Sequence, residues 1–169
     1  MTENSISFVQ KSKKDIWQTP SELWKPINER DQITLDPCAG SETNIGEVNH
    51  TKEDNGLQKD WNGTVWMNPP FSQKQDWMQK AREELANCET IYIVTPDSTD
   101  VKSWWHGELS EFCEWVWFSE GRINYVDPKD GEQKSGVSFG TSINIAGELS
   151  NDVKEWLANN GDLMKRYDF

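Results

Sequence analysis

Asn68, Pro69, Pro70 and Phe71 follow the apolar run Val65-Trp66-Met67 and contain no nucleophile and no strong base. What they offer is a side-chain amide, a rigid corner and a ring. An exocyclic amine on a heteroaromatic ring is a poor nucleophile because its lone pair is delocalised. It improves when acceptors hold its hydrogens and draw the nitrogen toward sp3 geometry. The Asn68 amide oxygen is one such acceptor and the Pro69 carbonyl another. Two prolines fix the backbone so that both converge, and Phe71 can stack on the ring. The stretch therefore reads as a clamp for an adenine-type amine. The fitting partner is a sulfonium methyl donor, whose transfer depends on in-line positioning and electrostatics.

Elements must carry this corner. Val65-Trp66-Met67 reads as a buried strand ending at Asn68. A second loop of the same kind, Asp36-Pro37-Cys38-Ala39-Gly40, follows the strand expected over 32–36. Thr19-Pro20-Ser21-Glu22 has the form of a capping box, with Thr19 as N-cap and Pro20 at the first helical position. Leu23, Trp24 and Ile27 then share one helical face. Ser72 is expected to open a second helix with Trp77, Met78, Ala81 and Leu85 inward. Further strands are expected over 90–95, 114–118, 122–126 and 137–146, an aromatic-rich helix over 101–109, and a last helix over 150–159 closed by Gly161. Residues 38–63 read as loop, and 127–136 as a charged surface loop. Strands alternating with helices favour a parallel α/β sheet covered on both faces. Such sheets bind ligands at the carboxyl ends of their strands.

Composition bounds the rest. The chain of 169 residues fits one domain over 19–169, preceded by a polar tail, 1–18, expected to be mobile. No stretch reaches the roughly 20 apolar residues of a membrane span, and the N-terminus lacks a secretory pattern. Cys38, Cys88 and Cys113 are odd in number and widely spaced, which points to a reducing interior. His50 and His106 are isolated from each other and from the cysteines, so no metal site is expected. The net charge is −12, with 17 basic against 29 acidic residues. Three readings stand: no nucleic-acid partner, a local basic patch such as Lys11 to Lys14 on an acidic body, or adaptation to a salty interior.

The order WQTPSELW, LDPCAG, EDNGLQKDW, VWMNPPFS, IYIVTPDSTDVKSWWH, EGRINYV, SFGTSINI resembles the phage-type, Dam-like DNA N6-adenine methyltransferases. The likeness runs from about Trp17 to Ala146. It implies an abbreviated Rossmann-like class I methyltransferase sheet, S-adenosylmethionine as cofactor, DNA as partner, and the cell interior (a host's, if phage-encoded) as location. Asn68, Pro69, Pro70 and Phe71 would form the catalytic corner. Asp36, Pro37 and Gly40 would belong to the cofactor loop. Asp60 would meet the cofactor's adenine and Asp54 its ribose, while Thr19 and Pro20 would close over it. The chain departs from the pattern in Phe71, where Tyr is frequent, and in a single glycine in the first loop. Only 32 positions separate Asp36 from Asn68.

Other readings compete. Asn-Pro-Pro and Asp-Pro are also ordinary turns, and Asp60 before Trp61 is a common turn residue. Trp104 and Trp105 suit core packing better than base stacking. Arg122 suits a surface ion pair as well as a phosphate. Cys38 after Pro37 has the form of a cytosine-methylating nucleophile, but it lies in the cofactor loop, away from the clamp. RNA adenine or protein glutamine as substrate, and a fold that only binds a partner, are the alternatives. Sequence readout would fall to 127–136 and the basic tail.

Overall fold

The computed structural model describes residues 17–167 except 42 and 136. The expected basic run Lys11–Lys14 and most of the expected tail lie outside the described residues, as does Gly136.

Among the described residues, seven strands form one mixed sheet. They are β1 Leu35–Asp36, β2 Val48–Asn49, β3 Gly63–Met67, β4 Cys88–Pro96, β5 Trp115–Ser119, β6 Thr141–Gly147 and β7 Gly161–Lys165, in the order β2-β1-β3-β4-β6-β5-β7. The first four neighbours are parallel, with Leu35 opposite Val48 and Val65, and Met67 opposite Ile93. β6 runs antiparallel to β4 and β5, and β7 antiparallel to β5. The sheet is therefore parallel only over its first half, which corrects the all-parallel expectation. β6 follows β5 through 120–140 and turns back along it, while helix Asn151–Asn159 carries the chain from β6 past β5 to β7, so β6 and β7 share one direction.

Alternation along the central strands divides the core between two faces. Val65, Met67, Ile91 and Ile93 face helix α2, Lys74–Glu84, and the π-helical segment Lys102–Leu109. Trp66, Tyr92, Val94, Ile143 and Ile145 face helices α1, Ser21–Asn28, and α3, Asn151–Asn159. This is the covered, Rossmann-like α/β sheet, abbreviated at the β1–β2 edge to strands of two residues. Trp104 and Trp105 are core residues, stacked edge to face with centroids 5.8 Å apart.

Local expectations held where periodicity was strong. Trp77, Met78 and Ala81 are buried on α2 and Leu23 and Ile27 on α1. Ser150 caps α3 by accepting from the Val153 amide at 3.3 Å. Four differ. Thr19 does not cap α1, which is preceded by Pro20 and has no side-chain cap. α2 begins at Lys74, after a 3-10 turn Phe71–Gln73, rather than at Ser72. Residues 122–125 form no strand; only Val126 pairs, with Gln18 on one side and Gln133 on the other. Gly161 begins β7 instead of ending α3. A further strand, β2, lies inside the stretch expected to be loop. Nothing in its local sequence alternates strongly enough to mark it.

Candidate active site

The site is built at the carboxyl edge of β1 and β3. Leu35 pairs with Val65, so Asp36 and Asn68 emerge from neighbouring parallel strands into the same corner. The carboxyl ends are where side chains meet without a strand continuing past them.

The Asp36 loop is pinned from several sides. The His50 amide donates to the Asp36 carbonyl at 2.8 Å and the Ala39 amide to the His50 carbonyl at 2.9 Å, both from the end of β2. The Cys38 amide donates to Asp36 Oδ1 at 3.1 Å. Gly56 closes against Pro37 so tightly that a Cβ there would collide with the Pro37 carbonyl. Gly56 is held in turn by the Trp61 indole, whose Nε1 donates to its carbonyl at 2.9 Å. Asn55, at φ 52°, adopts the left-handed conformation that starts this turn. The fragment EDNGLQKDW thus acts as a buttress for the Asp36–Gly40 loop, a role its composition did not reveal.

Asp36 is 4% exposed. Burial pushes its carboxyl up to about 7, against the opposing hydrogen bonds from the Cys38 amide and thiol. The Cys38 thiol lies against this carboxylate and against the backbone amide of Asn68, and burial followed by the Asp36 charge drives its own titration well upward. The sequence alone sets Cys38 away from the clamp; the fold brings its thiol to the Asn68 amide, though a thiol so suppressed is a poor nucleophile.

Asn68 is held from the N-terminal side. Its Nδ2 donates to the Trp17 carbonyl at 3.0 Å and to Thr19 Oγ1 at 3.0 Å. A carbonyl only accepts, so the amide nitrogen must face Trp17, and Oδ1 is turned away from this strap. Trp17 and Gln18, placed in the mobile tail by sequence, are part of the folded body. Gln18 exchanges both backbone hydrogen bonds with Val126 at 3.0 Å. Thr19 and Pro20 are buried.

Phe71 stands beside the corner at the start of the 3-10 turn. Its ring meets Phe139 edge-on with centroids 5.4 Å apart, and Phe139 meets Tyr125 at 5.8 Å. Lys74 Nζ lies 4.3 Å from the Phe71 centroid and 4.6 Å from that of Trp104. Tyr125 and Thr141 share a buried hydroxyl hydrogen bond of 3.0 Å. Lys74, Tyr125 and Phe139 are site-wall residues that sequence reasoning did not single out. Their one signal was position, in the fragments EGRINYV and SFGTSINI and just past Phe71.

The remaining candidates lie further out. Asp54 is exposed and accepts from the Thr51 amide and hydroxyl, each at 2.9 Å, which lowers its titration. Its carboxylate is thereby engaged in closing its own turn. Asp60 is exposed just before the buried Trp61. Gly40 faces the strap, where a Cβ would lie 2.8 Å from Gln18 Nε2. Arg122 donates to the Val137 carbonyl at 3.3 Å. One surface concavity of about 320 Å³ is lined by Pro20, Leu23, Arg122 and Trp156. No described helix is long and apolar enough to cross a membrane, and no three candidate ligands cluster for a metal among the described residues.

Comparison with known proteins agrees with this architecture. The family model for DNA N-6-adenine-methyltransferase (Dam) matches residues 6–166. A DNA N-6-adenine-methyltransferase of Escherichia phage T1 is 26% identical over 153 residues, covering 80% of this chain. The chain spans 64% of that relative, less than two thirds of its length. With a match that takes in the strap, the Asp36 loop, the Asn68 corner and every strand of the sheet, the chain belongs to the DNA N-6-adenine-methyltransferase (Dam) family.

Proposed function

We propose that this chain methylates the N6 amine of adenine in DNA, with S-adenosylmethionine as donor and the target base flipped out of the helix. The observation that carries the reading is the oriented amide of Asn68. Both of its N–H bonds are committed to the strap, so its oxygen is the atom offered to an incoming amine.

The residues present fit the donor. The buried Asp36 carboxyl, raised to about 7, sits in an environment that a neighbouring cationic group would stabilise in its ionised form. Asp36, Pro37 and Gly40 would hold the methionine end, and Thr19 and Pro20 would close over it. Asp60 and Asp54 would be the candidates for the adenine and ribose of the donor. When bound, the donor supplies a methyl carried on a sulfonium, an electrophile strong enough to need no general base.

The chain's own residues do the rest. Asn68 Oδ1 and the Pro69 carbonyl accept the two N6 hydrogens and direct the nitrogen lone pair toward the methyl. Pro70 keeps the two acceptors convergent. Phe71, backed by Phe139 and Lys74, stacks on the flipped base. As the new N–C bond forms and the donor's S–CH3 bond breaks, leaving a neutral thioether, the amine would take the positive charge, against which both acceptors strengthen. The extra proton then leaves to water. A host cytoplasm is the setting this substrate implies.

The test offers duplex DNA, RNA and a cell lysate side by side to the protein with tritiated donor, followed by long-read sequencing of methylated DNA. Label in duplex DNA at N6 of adenine is the expected result. Label confined to RNA or to protein would replace the substrate, and no label with intact donor binding would reduce the chain to a binding protein.

A further inference from the structure

The strap 17–20 touches three parts of the molecule at once. Its Trp17 carbonyl and Thr19 hydroxyl receive the Asn68 amide. The Gln18 backbone pairs with Val126, which leads into the charged loop beginning at Asp127. The Gln18 side chain lies over Gly40 in the Asp36 loop. Thr19 is 6% exposed, yet its hydroxyl serves no helix cap. A buried threonine at a helix entrance that leaves the cap unmade is spending its oxygen elsewhere.

We propose that Thr19 is a positioning residue for Asn68, and that the strap makes the amide's orientation depend on its own docking beside the cofactor loop. The inference rests on the adenine-amine reading of Asn68 and adds to it what sets the amide. Two physical effects favour it. An unrestrained amide populates both flips, and one of them presents N–H groups, not oxygen, to the amine. Donation from Nδ2 to two acceptors also polarises the amide, leaving Oδ1 a stronger acceptor through hydrogen-bond cooperativity. Thr19 can accept from Asn68 while its own O–H remains a donor. Strap undocking, whether by loss of the Gln18–Val126 pair or by displacement of Gln18 from Gly40, would release the amide without altering Asn68 itself.

Thr19→Val keeps the shape and removes the acceptor, whereas Thr19→Ser retains it. In single-turnover methyl transfer at saturating donor and DNA, Thr19→Val should lose ~10-fold in rate, the value of one hydrogen bond of about 1.4 kcal/mol. S-adenosylhomocysteine affinity should change less than about two-fold by calorimetry, because Thr19→Val keeps the shape with which residue 19 would close over the donor, and Thr19→Ser should recover the rate. A wild-type rate in Thr19→Val overturns the proposal. So does a rate loss matched by an equal loss of S-adenosylhomocysteine affinity, which would make Thr19 a cofactor contact only. A second readout does not need activity. In the wild type, both Asn68 side-chain N–H resonances should exchange slowly with solvent, and in Thr19→Val one should exchange faster. Two fast-exchanging protons in the wild type would overturn the positioning role even if the protein methylates some other substrate. Should Thr19→Val not fold, Gln18→Ala with the same two measurements takes its place, and unchanged rate and exchange there would overturn the strap's part.

Discussion

At the residue scale the decisive feature is which atom each polar group turns toward the corner. Asn68→Ala should lower the single-turnover rate by ~100-fold or more, comparable to losing one preorganised catalytic group. S-adenosylhomocysteine affinity should hold, because the Asp36 loop does not depend on the amide. Phe71→Ala should weaken DNA capture by roughly 1–3 kcal/mol, the worth of a base stacked on a ring. Full activity in Asn68→Ala would leave the Pro-Pro corner as architecture alone. Asp36 gives a prediction of the opposite kind, in pH. Its carboxyl is raised from 3.8 to about 7 in the folded protein. The folded state therefore holds a proton that the unfolded state has released between those values. Stability falls as pH rises through this window and levels off above about 7, by up to ~4 kcal/mol for the isolated group. Asp36→Asn should remove this component. Relative to that variant, the wild-type melting temperature should fall between pH 5 and 8; parallel curves would mean that the carboxylate is solvated or paired.

At the scale of elements, the loop proposed to hold the donor is only as well placed as the turn that backs it. Gly56 meets the Pro37 backbone, which cannot swing aside as a side chain would. Gly56→Ala should therefore displace the 36–40 loop and abolish S-adenosylhomocysteine binding, with a stability loss of the 1–3 kcal/mol typical of overpacking. Gly121→Ala is the control. Its φ is +78° but a Cβ there meets nothing within 4 Å, so it should cost about 1 kcal/mol and leave binding intact. Equal binding by both variants would remove the buttress role of the 55–61 turn. The far end of the molecule uses a comparable device. Arg166 donates to the Leu109 and Cys113 carbonyls at 3.2 and 3.0 Å and to Asn144 Oδ1 at 3.0 Å, tying the residue after β7 to the end of the π-helical segment and to β6. Asn144 continues to Thr95 at 3.2 Å, so the reversed strands are linked inside the core and not only at the ladder.

For the whole molecule, charge is the property that sits least easily with the proposed DNA substrate. At −12 the chain repels itself, and a phosphate backbone is repelled at long range. Added salt screens both effects within about 10 Å at 0.1 M and about 3 Å at 1 M. If the acidity is an adaptation to a salty interior, the melting temperature should rise from dilute buffer to molar KCl. A temperature that is flat or falling would remove that explanation and make a partner other than nucleic acid more credible.

The Asn68–Phe71 corner could be read from sequence because the chemistry proposed for it is local. Four adjacent residues carry acceptors, rigidity and a ring, and a strand before them needs only three apolar residues to be visible. Helix faces were legible for the same reason, since Leu23 and Ile27, or Trp77, Met78 and Ala81, repeat at helical spacing. What the sequence could not determine depends on residues far apart in the chain. Thr19 has the local form of a cap, but a tertiary partner 49 positions away takes its hydroxyl. Residues 122–126 have the alternation of a strand, yet sheet pairing was claimed by β6 and β7, and a strand without a neighbour leaves its backbone unsatisfied. β2 shows the converse, two unremarkable residues made into a strand by β1 beside them. The reversal of β6 and β7 is likewise invisible in apolar runs, because burial on both faces looks the same in either direction. Sequence determined which groups exist to do the chemistry; only the folded chain decided which way the Asn68 amide points, because that rests on a strap it meets in space and not in sequence.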